Sequence, residues 1–291
     1  MRASSWANIG TDVRECTDMS EVLRASGLDY EVRKTKLFTS EGLAVNDKVA
    51  LVNDDRVLGV VSNKFGIVQN WEAFEFVDYM GDELSYERAG QTASGMVYII
   101  AKLPEVNVLG DSFVPHVIFR NGFNGKFSVA AAICPLRIVC QNQFSIAFGE
   151  SPNTVTIKHT ADAGRKLEEA REVLRTSADY MRHVNELAER LAAKKLGPHE
   201  VMKVANALFP VGEDVGPRAQ AIADKKRGEL LAAYNAEDNE NFQGTAWGIV
   251  NAYADYVTHK KPLGRKATRD ENIFMRLSFD TPIDNVLKLV A

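Results

Sequence analysis

Few residues of this 291-residue chain stand at spacings that support catalysis. The segment Gly90–Gly95 has the glycine spacing of a phosphate-binding loop, but Met96 follows it where such a loop requires lysine. His199 and Glu200 begin a zinc-protease pattern, and Lys203 interrupts it where the second histidine belongs. We therefore expect no metal or nucleotide cofactor, and a protein that is not an enzyme.

The three cysteines, Cys16, Cys134 and Cys140, have no partners at the spacing of a zinc site or a redox pair. An odd, small number of cysteines in a chain of this length indicates reduced thiols. The N-terminus lacks the apolar stretch of a signal peptide, and no apolar run is long enough to span a bilayer. These features predict a cytoplasmic protein without membrane contact.

Binding residues are better represented than catalytic ones. The segment Pro135–Gln143 sets Arg137, Gln141 and Asn142 among apolar neighbours. Arginine can bind phosphate with two parallel hydrogen bonds, and amides can bond base edges, so these residues are candidates for nucleic-acid contact. The alternative is that they satisfy buried backbone groups inside the fold.

A second group of candidates lies at the start of a predicted helix. Lys158 and His159 precede this helix, and Arg165 and Lys166 lie in its first turns. A helix N-terminus attracts anions, so this junction could hold a phosphate. The alternatives are a histidine that bonds a loop carbonyl and a solvated helix face on which arginines alternate with glutamates.

Two further stretches combine basic residues with features typical of nucleic-acid contact. Lys126 lies in the segment 119–127, where aromatic residues that could stack on bases alternate with polar ones. The segment 260–269 has five basic residues and no acidic one. Its basic residues are Lys260, Lys261, Arg265, Lys266 and Arg269. The alternatives are core strand aromatics for the first stretch and a solubilising linker for the second.

The net charge limits how extensive such a surface can be. The chain has 35 basic and 39 acidic side chains, a formal net charge of −4. Residues 1–150 have 14 basic and 19 acidic side chains, and residues 151–291 have 21 basic and 20 acidic ones. A surface for a polyanion must therefore be a local patch rather than a field over the whole molecule.

The first half of the chain is predicted to be rich in β-strands. Residues 28–37 alternate charged and apolar residues, as a half-exposed strand does, and 48–69 reads as a β-hairpin. Asn70 is predicted to cap a helix that runs to about Met80. Strands are predicted over 84–89, 96–103, 114–121 and 126–134, with Pro135 interrupting the last, and a short one over 155–158.

The second half is predicted to be helical. Apolar residues recur at helical spacing from Leu167 to Leu191, which indicates one amphipathic helix of about 35 residues capped by Thr160. Further helices are predicted over 198–208, 217–235, 243–258 and 282–290. Strands followed by helices indicate an α+β fold, with a β-rich region over 1–160 and a helical region over 161–291 that packs on it.

Several segments of the sequence resemble a family associated with phages and plasmids, known as domain of unknown function 932. They cover about residues 25–260 in a consistent order. These segments are Leu28–Val32, Leu58–Ser62, Val68–Phe74, Pro135–Asn142, Ile157–Thr160 and Gly244–Gly248. Asn121 and Leu136 depart from the family pattern. The resemblance implies a protein of mobile elements in a bacterial host cytoplasm, and it carries over no functional residues.

The order of hairpin, helix, strands and long helix is also similar, at the level of fold, to the phage single-strand annealing proteins of the Redβ, RecT and Erf group. That analogy implies binding of single-stranded DNA in replication or recombination, by a homo-oligomer. Two alternatives stay open. One is a phage protein that binds a host protein without catalysis, and the other is a metal-dependent nuclease.

Overall fold

A computed structural model describes residues 9–54, 56–137, 142–143, 154–156, 163–212, 216–260 and 283–290. Its strands form two antiparallel sheets. The strands are β1 (Thr11–Asp12), β2 (Arg33–Phe38), β3 (Ala44–Val52), β4 (Val57–Ser62), β5 (Ser85–Gln91), β6 (Met96–Lys102), β7 (Val106–Val108), β8 (Asp111–Gly122), β9 (Ala130–Arg137), β10 (Asn142–Gln143) and β11 (Thr154–Thr156).

The large sheet has eight strands, and its order is β1-β5-β6-β8-β9-β10. Strand β7 pairs with β8, and β11 pairs with β9. The small sheet has the order β2-β3-β4. Strand β2 covers the second part of the segment 28–37, in which charged and apolar residues alternate. The predicted strand is therefore confirmed, and it starts at Arg33 rather than at residue 28.

Five of the seven described helices follow the strands along the chain, as predicted, and α1 and α2 lie among the strands. They are α1 (Met19–Ala25), α2 (Asn70–Phe74), α3 (Ala163–Ala193), α4 (Pro198–Leu208), α5 (Pro217–Tyr234), α6 (Ala246–Asp255) and α7 (Asp284–Val290). Short 3₁₀ segments cover Glu75–Glu83 and Glu237–Phe242, and a π turn covers Tyr256–Lys260. The α+β class is confirmed, and the predicted cap Thr160 lies outside the described residues.

The two largest apolar cores lie on different parts of the large sheet, and a smaller third one includes Met96, Tyr98 and Ile118. One core is formed by alternate residues of β6 and β8, such as Val97 and Val117, together with α1 and the 3₁₀ segment Glu75–Glu83. The other is formed by α4, α5, α6 and α7, and it includes Phe113 and Ile133 of the large sheet. Helix α3 contributes to both cores, with Val173 in the first and its later residues in the second.

Pro135 does not interrupt its strand, contrary to the sequence prediction. Pro135 lies opposite Pro115 in the pairing of β8 with β9. The carbonyl of Pro115 accepts a hydrogen bond from Leu103 N over 2.9 Å, so the backbone polar groups of Pro115 point away from β9. The two prolines therefore occupy a non-hydrogen-bonded pair of the antiparallel ladder. Strand β9 runs through Pro135 to Arg137.

The helix predicted from Trp71 to Met80 is an α-helix for its first part only. Gln69, rather than Asn70, precedes its first turn, and the Glu72 carboxylate accepts a hydrogen bond from Gln69 N over 2.8 Å. Asn70 is the first helical residue and is buried. After Phe74 the chain continues as the 3₁₀ segment, which keeps Phe76, Val77 and Met80 buried.

Candidate nucleic-acid interface

Arg137 lies inside the fold rather than on a surface. Its side chain is 2% exposed, and its Nε donates to Asp111 Oδ2 over 2.7 Å. Its Nη2 donates to the carbonyl of Asp238 over 2.7 Å, and the guanidinium lies over the ring of Phe242. These contacts match the alternative interpretation of this segment, in which arginine satisfies buried groups. They leave no donor surface for a phosphate.

Three arginines of α3 that follow the first turns, Arg171, Arg175 and Arg182, are paired with carboxylates on the same helix. Arg175 Nη2 lies 2.7 Å from Glu172 Oε2, and Arg182 Nη1 lies 2.9 Å from Glu186 Oε1. Arg171 Nη1 lies 3.9 Å from Glu168 Oε2. This arrangement is a solvated helix face with paired charges. It matches the alternative to phosphate binding that the sequence analysis gave for this helix.

The other predicted contacts are only partly described. Asn142 lies in β10, and Arg165 and Lys166 lie in the first turns of α3. Lys260 is exposed at the end of the π turn. The predicted contacts Gln141, Lys158, His159, Lys261, Arg265, Lys266 and Arg269 lie outside the described residues.

Lys126 is exposed at the turn that joins β8 to β9. Asn124 shapes this turn, since its Oδ1 accepts from Lys126 N over 3.0 Å and its Nδ2 donates to Ser94 O over 2.6 Å. Strand β4 packs directly on the turn at Gly59. A Cβ atom on Gly59 would lie 2.7 Å from Asn124 Cα, so only glycine permits this approach. We call residues 121–126 the Lys126 turn.

The small sheet, which packs on the Lys126 turn through β4, carries a set of cations that the sequence analysis did not identify as candidates. Its three strands contain Arg33, Lys34, Lys36 and Lys48, with Asp47 as the only acidic residue. All four cations are exposed. Side chains two residues apart on one strand lie on the same face, so Lys34 and Lys36 are about 7 Å apart. The signal in the sequence was the charged half of the alternating pattern over 28–37.

These cations differ from Arg171, Arg175 and Arg182 of α3 because they lack carboxylate partners. Arg33, Lys36, Lys48 and Lys126 have no carboxylate oxygen within 4 Å among the residues that the structure describes. Lys34 Nζ donates to the carbonyl of Asn63 over 3.0 Å, which leaves its charge uncompensated. The strands of the small sheet therefore have more basic than acidic side chains in the acidic half of the chain, with Lys34 and Lys36 on one face and Arg33 and Lys48 on the other.

A buried amide network holds the start of β2 against the large sheet. The Gln69 side chain accepts from Val32 N over 2.9 Å and donates to Val32 O over 2.8 Å. Asn70 Nδ2 donates to Leu28 O over 2.9 Å, and Asn121 Nδ2 donates to Asn70 Oδ1 over 3.1 Å. This network fixes where the basic strand lies relative to the Lys126 turn.

Tyr30 adds an aromatic contact to the same junction. Its ring meets Phe123 of the Lys126 turn edge to face, with ring centroids 6.2 Å apart. Burial raises the pKa of the Tyr30 hydroxyl above its usual value, so this group is a neutral phenol at physiological pH. Tyr30 therefore contributes packing rather than charge.

The described residues offer no metal centre and no activated thiol. No group of three histidine, cysteine, aspartate or glutamate side chains among them could hold a metal ion. Cys134 is fully buried, and burial raises the pKa of its thiol well above the usual value, which disfavours the thiolate. Burial also raises the pKa of Cys16. Cys140 lies outside the described residues.

No helix in the described part of the chain is both long and apolar enough to cross a membrane.

The fold and the surface define an α+β protein in which a small basic sheet is docked on a larger sheet backed by helices. The family described as domain of unknown function (DUF932) matches residues 57–278. The chain belongs to this family, and the resemblance to it is confirmed. No curated protein and no solved structure matches the chain.

Three of the segments that carry the resemblance have structural roles in the described residues. Gly59 permits the contact of the small sheet with the Lys126 turn, and Gln69 and Asn70 form the amide network. In Gly244–Gly248, Thr245 Oγ1 accepts from Gly248 N over 3.1 Å and caps α6, and Trp247 is fully buried. In the described residues, these three family segments therefore position strands and helices of the fold.

Proposed function

We propose that this protein binds single-stranded nucleic acid along the small sheet and the Lys126 turn. The observation that carries the proposal is the set of exposed cations without carboxylate partners on these two neighbouring elements. Such cations can replace the counterions of a phosphate backbone, whereas the paired arginines of α3 must first leave their own carboxylates. Among the nucleic-acid contacts predicted from the sequence, this surface includes Lys126.

The exposed ring of Phe38 supports a single strand rather than a duplex as the ligand. Phe38 ends β2 directly after the basic residues and is 59% exposed. Bases that are not paired can stack on an exposed aromatic side chain, and a backbone can follow neighbouring cations. The analogy with annealing proteins adds the biological setting of this proposal, which is replication or recombination of a mobile element.

The test compares two variants that each lose three cations. One replaces Arg33, Lys34 and Lys36 by alanine, and the other replaces Arg171, Arg175 and Arg182 of α3. Fluorescence anisotropy of a labelled oligothymidine is measured between about 50 and 200 mM salt. The logarithm of the binding constant should fall steeply with the logarithm of salt for the native protein.

The small-sheet variant should bind more weakly. Its slope of log binding constant against log salt should become shallower by about 0.7 for each phosphate contact removed, or by about 2 in total. The α3 variant should keep the native slope, because its arginines are already paired. An affinity that does not change with salt, no binding by the native protein, or equal losses in the two variants would contradict the proposal.

A further inference from the structure

A cavity separates α3 from the end of the large sheet at β7. Its volume is about 410 Å³, within the range of small-molecule sites. Pro104 contributes to its shape because proline has no N–H for the sheet ladder, and the chain leaves the ladder after the bond of Leu103 N to Pro115 O. Its apolar walls are Leu103, Pro104, Val106, Pro115, Leu174 and Met181.

One face of α3 forms the opposite side of the cavity. Leu174, Ala178 and Met181 follow one another at intervals of three or four residues, which places them on a single stripe of the helix. Ala178 is exposed and small, so the cavity stays open at this point. A larger side chain there would extend into the cavity without displacing the core.

Ser177 gives this apolar cavity one polar group that lacks a partner. The residue lines the cavity and is 2% exposed, and its Oγ has no hydrogen bond among the described residues. A serine within a helix commonly bonds the carbonyl one turn earlier, and Ser177 does not. A buried hydroxyl without a partner is costly, so a ligand that supplies one would gain that energy.

The rim of the cavity does not favour a charged ligand. Glu83 and Arg182 lie there with opposite charges. The Arg182 guanidinium is held by Glu186 Oε1 at 2.9 Å and by Asp179 Oδ1 at 3.4 Å. An anionic headgroup would have to displace these carboxylates, and a cationic one would have to approach this guanidinium. The ligand that fits this balance is neutral.

We propose that this cavity binds a neutral, largely apolar small molecule with one hydrogen-bonding group, such as a hydroxyl, that pairs with Ser177 Oγ. The cavity is formed by α3 and β7, whereas the proposed nucleic-acid surface lies on the small sheet and the Lys126 turn. The two proposals therefore rest on different residues, and each can fail without the other.

The test uses N-phenyl-1-naphthylamine, a neutral apolar fluorophore with a single N–H group, on the full chain. Its emission should increase and shift to shorter wavelength when it enters the cavity. Ala178→Trp should weaken this binding at least about tenfold, because the indole would occupy the cavity. Ala193→Trp adds the same side chain at an exposed position of α3 that does not line the cavity, and it should leave the binding unchanged.

Two competitors of equal chain length test the chemical class. We expect 1-decanol to displace the fluorophore and decanoate to displace it much less well, because the rim disfavours an added charge. Ser177→Ala should weaken 1-decanol about fivefold, the loss expected for one hydrogen bond of about 1 kcal/mol. Circular dichroism of each variant checks that the helices are retained.

Three results would overturn the proposal. The first is no fluorescence change with the native protein. The second is equal weakening by Ala178→Trp and Ala193→Trp, which would indicate adsorption elsewhere on the surface. The third is displacement by decanoate that equals or exceeds displacement by 1-decanol, which would show that the site selects an anion.

Discussion

Arg137 Nε donates to Asp111 Oδ2 over 2.7 Å, and this bond joins β9 to the start of β8 in the interior of the protein. The same guanidinium reaches Asp238 O in the 3₁₀ segment before α6. Arg137 therefore connects the large sheet to the helical half of the chain. This structural link can be separated from ligand binding by experiment.

Replacing Arg137 by alanine should destabilise the fold by about 3–5 kcal/mol, because the Asp111 carboxylate would be left largely buried without its partner. Urea unfolding followed by circular dichroism measures this loss. The salt slope of oligonucleotide binding by the folded protein should not change. A change in that slope with unchanged stability would instead make Arg137 a ligand contact.

The double variant Arg137→Met with Asp111→Leu provides the control for this pair. It removes both charges and keeps apolar volume, so its stability should lie closer to that of the native protein than the stability of Arg137→Ala does. A double variant as unstable as the single one would show that the bond to Asp238 O matters more than the ion pair.

Phe38 and Leu43 test whether bases stack on the small sheet. Thr39 N donates to Leu43 O over 2.8 Å, so both side chains lie at the same hairpin tip, where they are 59% and 67% exposed. Phe38→Ala should cost about 1–3 kcal/mol of oligonucleotide binding free energy, the range for loss of one stacked base. Leu43→Ala should cost little in the same anisotropy measurement, because an aliphatic side chain offers no ring for stacking.

Equal losses in the two variants would point instead to apolar contact of the kind made with a protein. The alternative prediction of a host partner protein would then be tested by a pull-down from host lysate after nuclease treatment. A host protein retained only by chains with intact Phe38 and Leu43 would favour that alternative.

Gly59 sets how closely the small sheet approaches the Lys126 turn. A Cβ atom there would meet two backbone atoms, Asn124 Cα at 2.7 Å and Phe123 O at 2.8 Å. Gly59→Ala should therefore destabilise the fold by about 1–3 kcal/mol, as other overpacked sites do. Gly66→Ala is the matched control, since nothing lies within 4 Å of its Cβ position. Equal midpoints of urea unfolding for the two variants would contradict the close contact.

Asp78 should make stability depend on pH in an unusual direction. Its Oδ1 accepts from Met19 N, the first N–H of α1, over 2.9 Å and from the Tyr86 hydroxyl over 3.2 Å. Burial raises the pKa of this carboxyl above its usual value despite these bonds. Because the folded state holds the proton more tightly than the unfolded state, Asp78 lowers stability as pH rises through the range above its unfolded pKa.

Asp78→Asn keeps an acceptor for Met19 N and removes the charge. Its unfolding free energy should equal or exceed the native value at neutral pH, and the difference should shrink as the pH falls toward about 4, where the native carboxyl becomes protonated. Asp78→Ala removes both hydrogen bonds and should be less stable at either pH. A difference between Asp78→Asn and the native protein that grows on acidification would contradict the raised pKa.

Much of the fold follows from local patterns in the sequence. The helices over 198–208 and 217–235 match α4 and α5 closely, because apolar periodicity and proline at the helix start are local signals. Strand β7 was missed because three residues are too few to show a period. Pro135 was misjudged because its tolerance depends on Pro115, which lies on another strand.

The candidate surface was harder to predict for the same reason. An arginine among apolar residues has the same appearance whether it binds a ligand or a distant carboxylate. The partners of Arg137 lie 26 and 101 positions away in the sequence. The small sheet, which carries the cations of β2, packs on the Lys126 turn through Gly59 of β4. Such proximity is a property of tertiary structure, and no local pattern contains it.

Helix α3 has a consequence for how the protein unfolds. Its 31 residues extend about 46 Å, with Val173 packed in one core and Tyr180, Val184 and Leu191 packed in the other. If α3 separates from one core, apolar surface of the other core is exposed as well. Heat should therefore melt both halves in one cooperative calorimetric transition, so that the nucleic-acid surface and the ligand cavity have a common melting temperature.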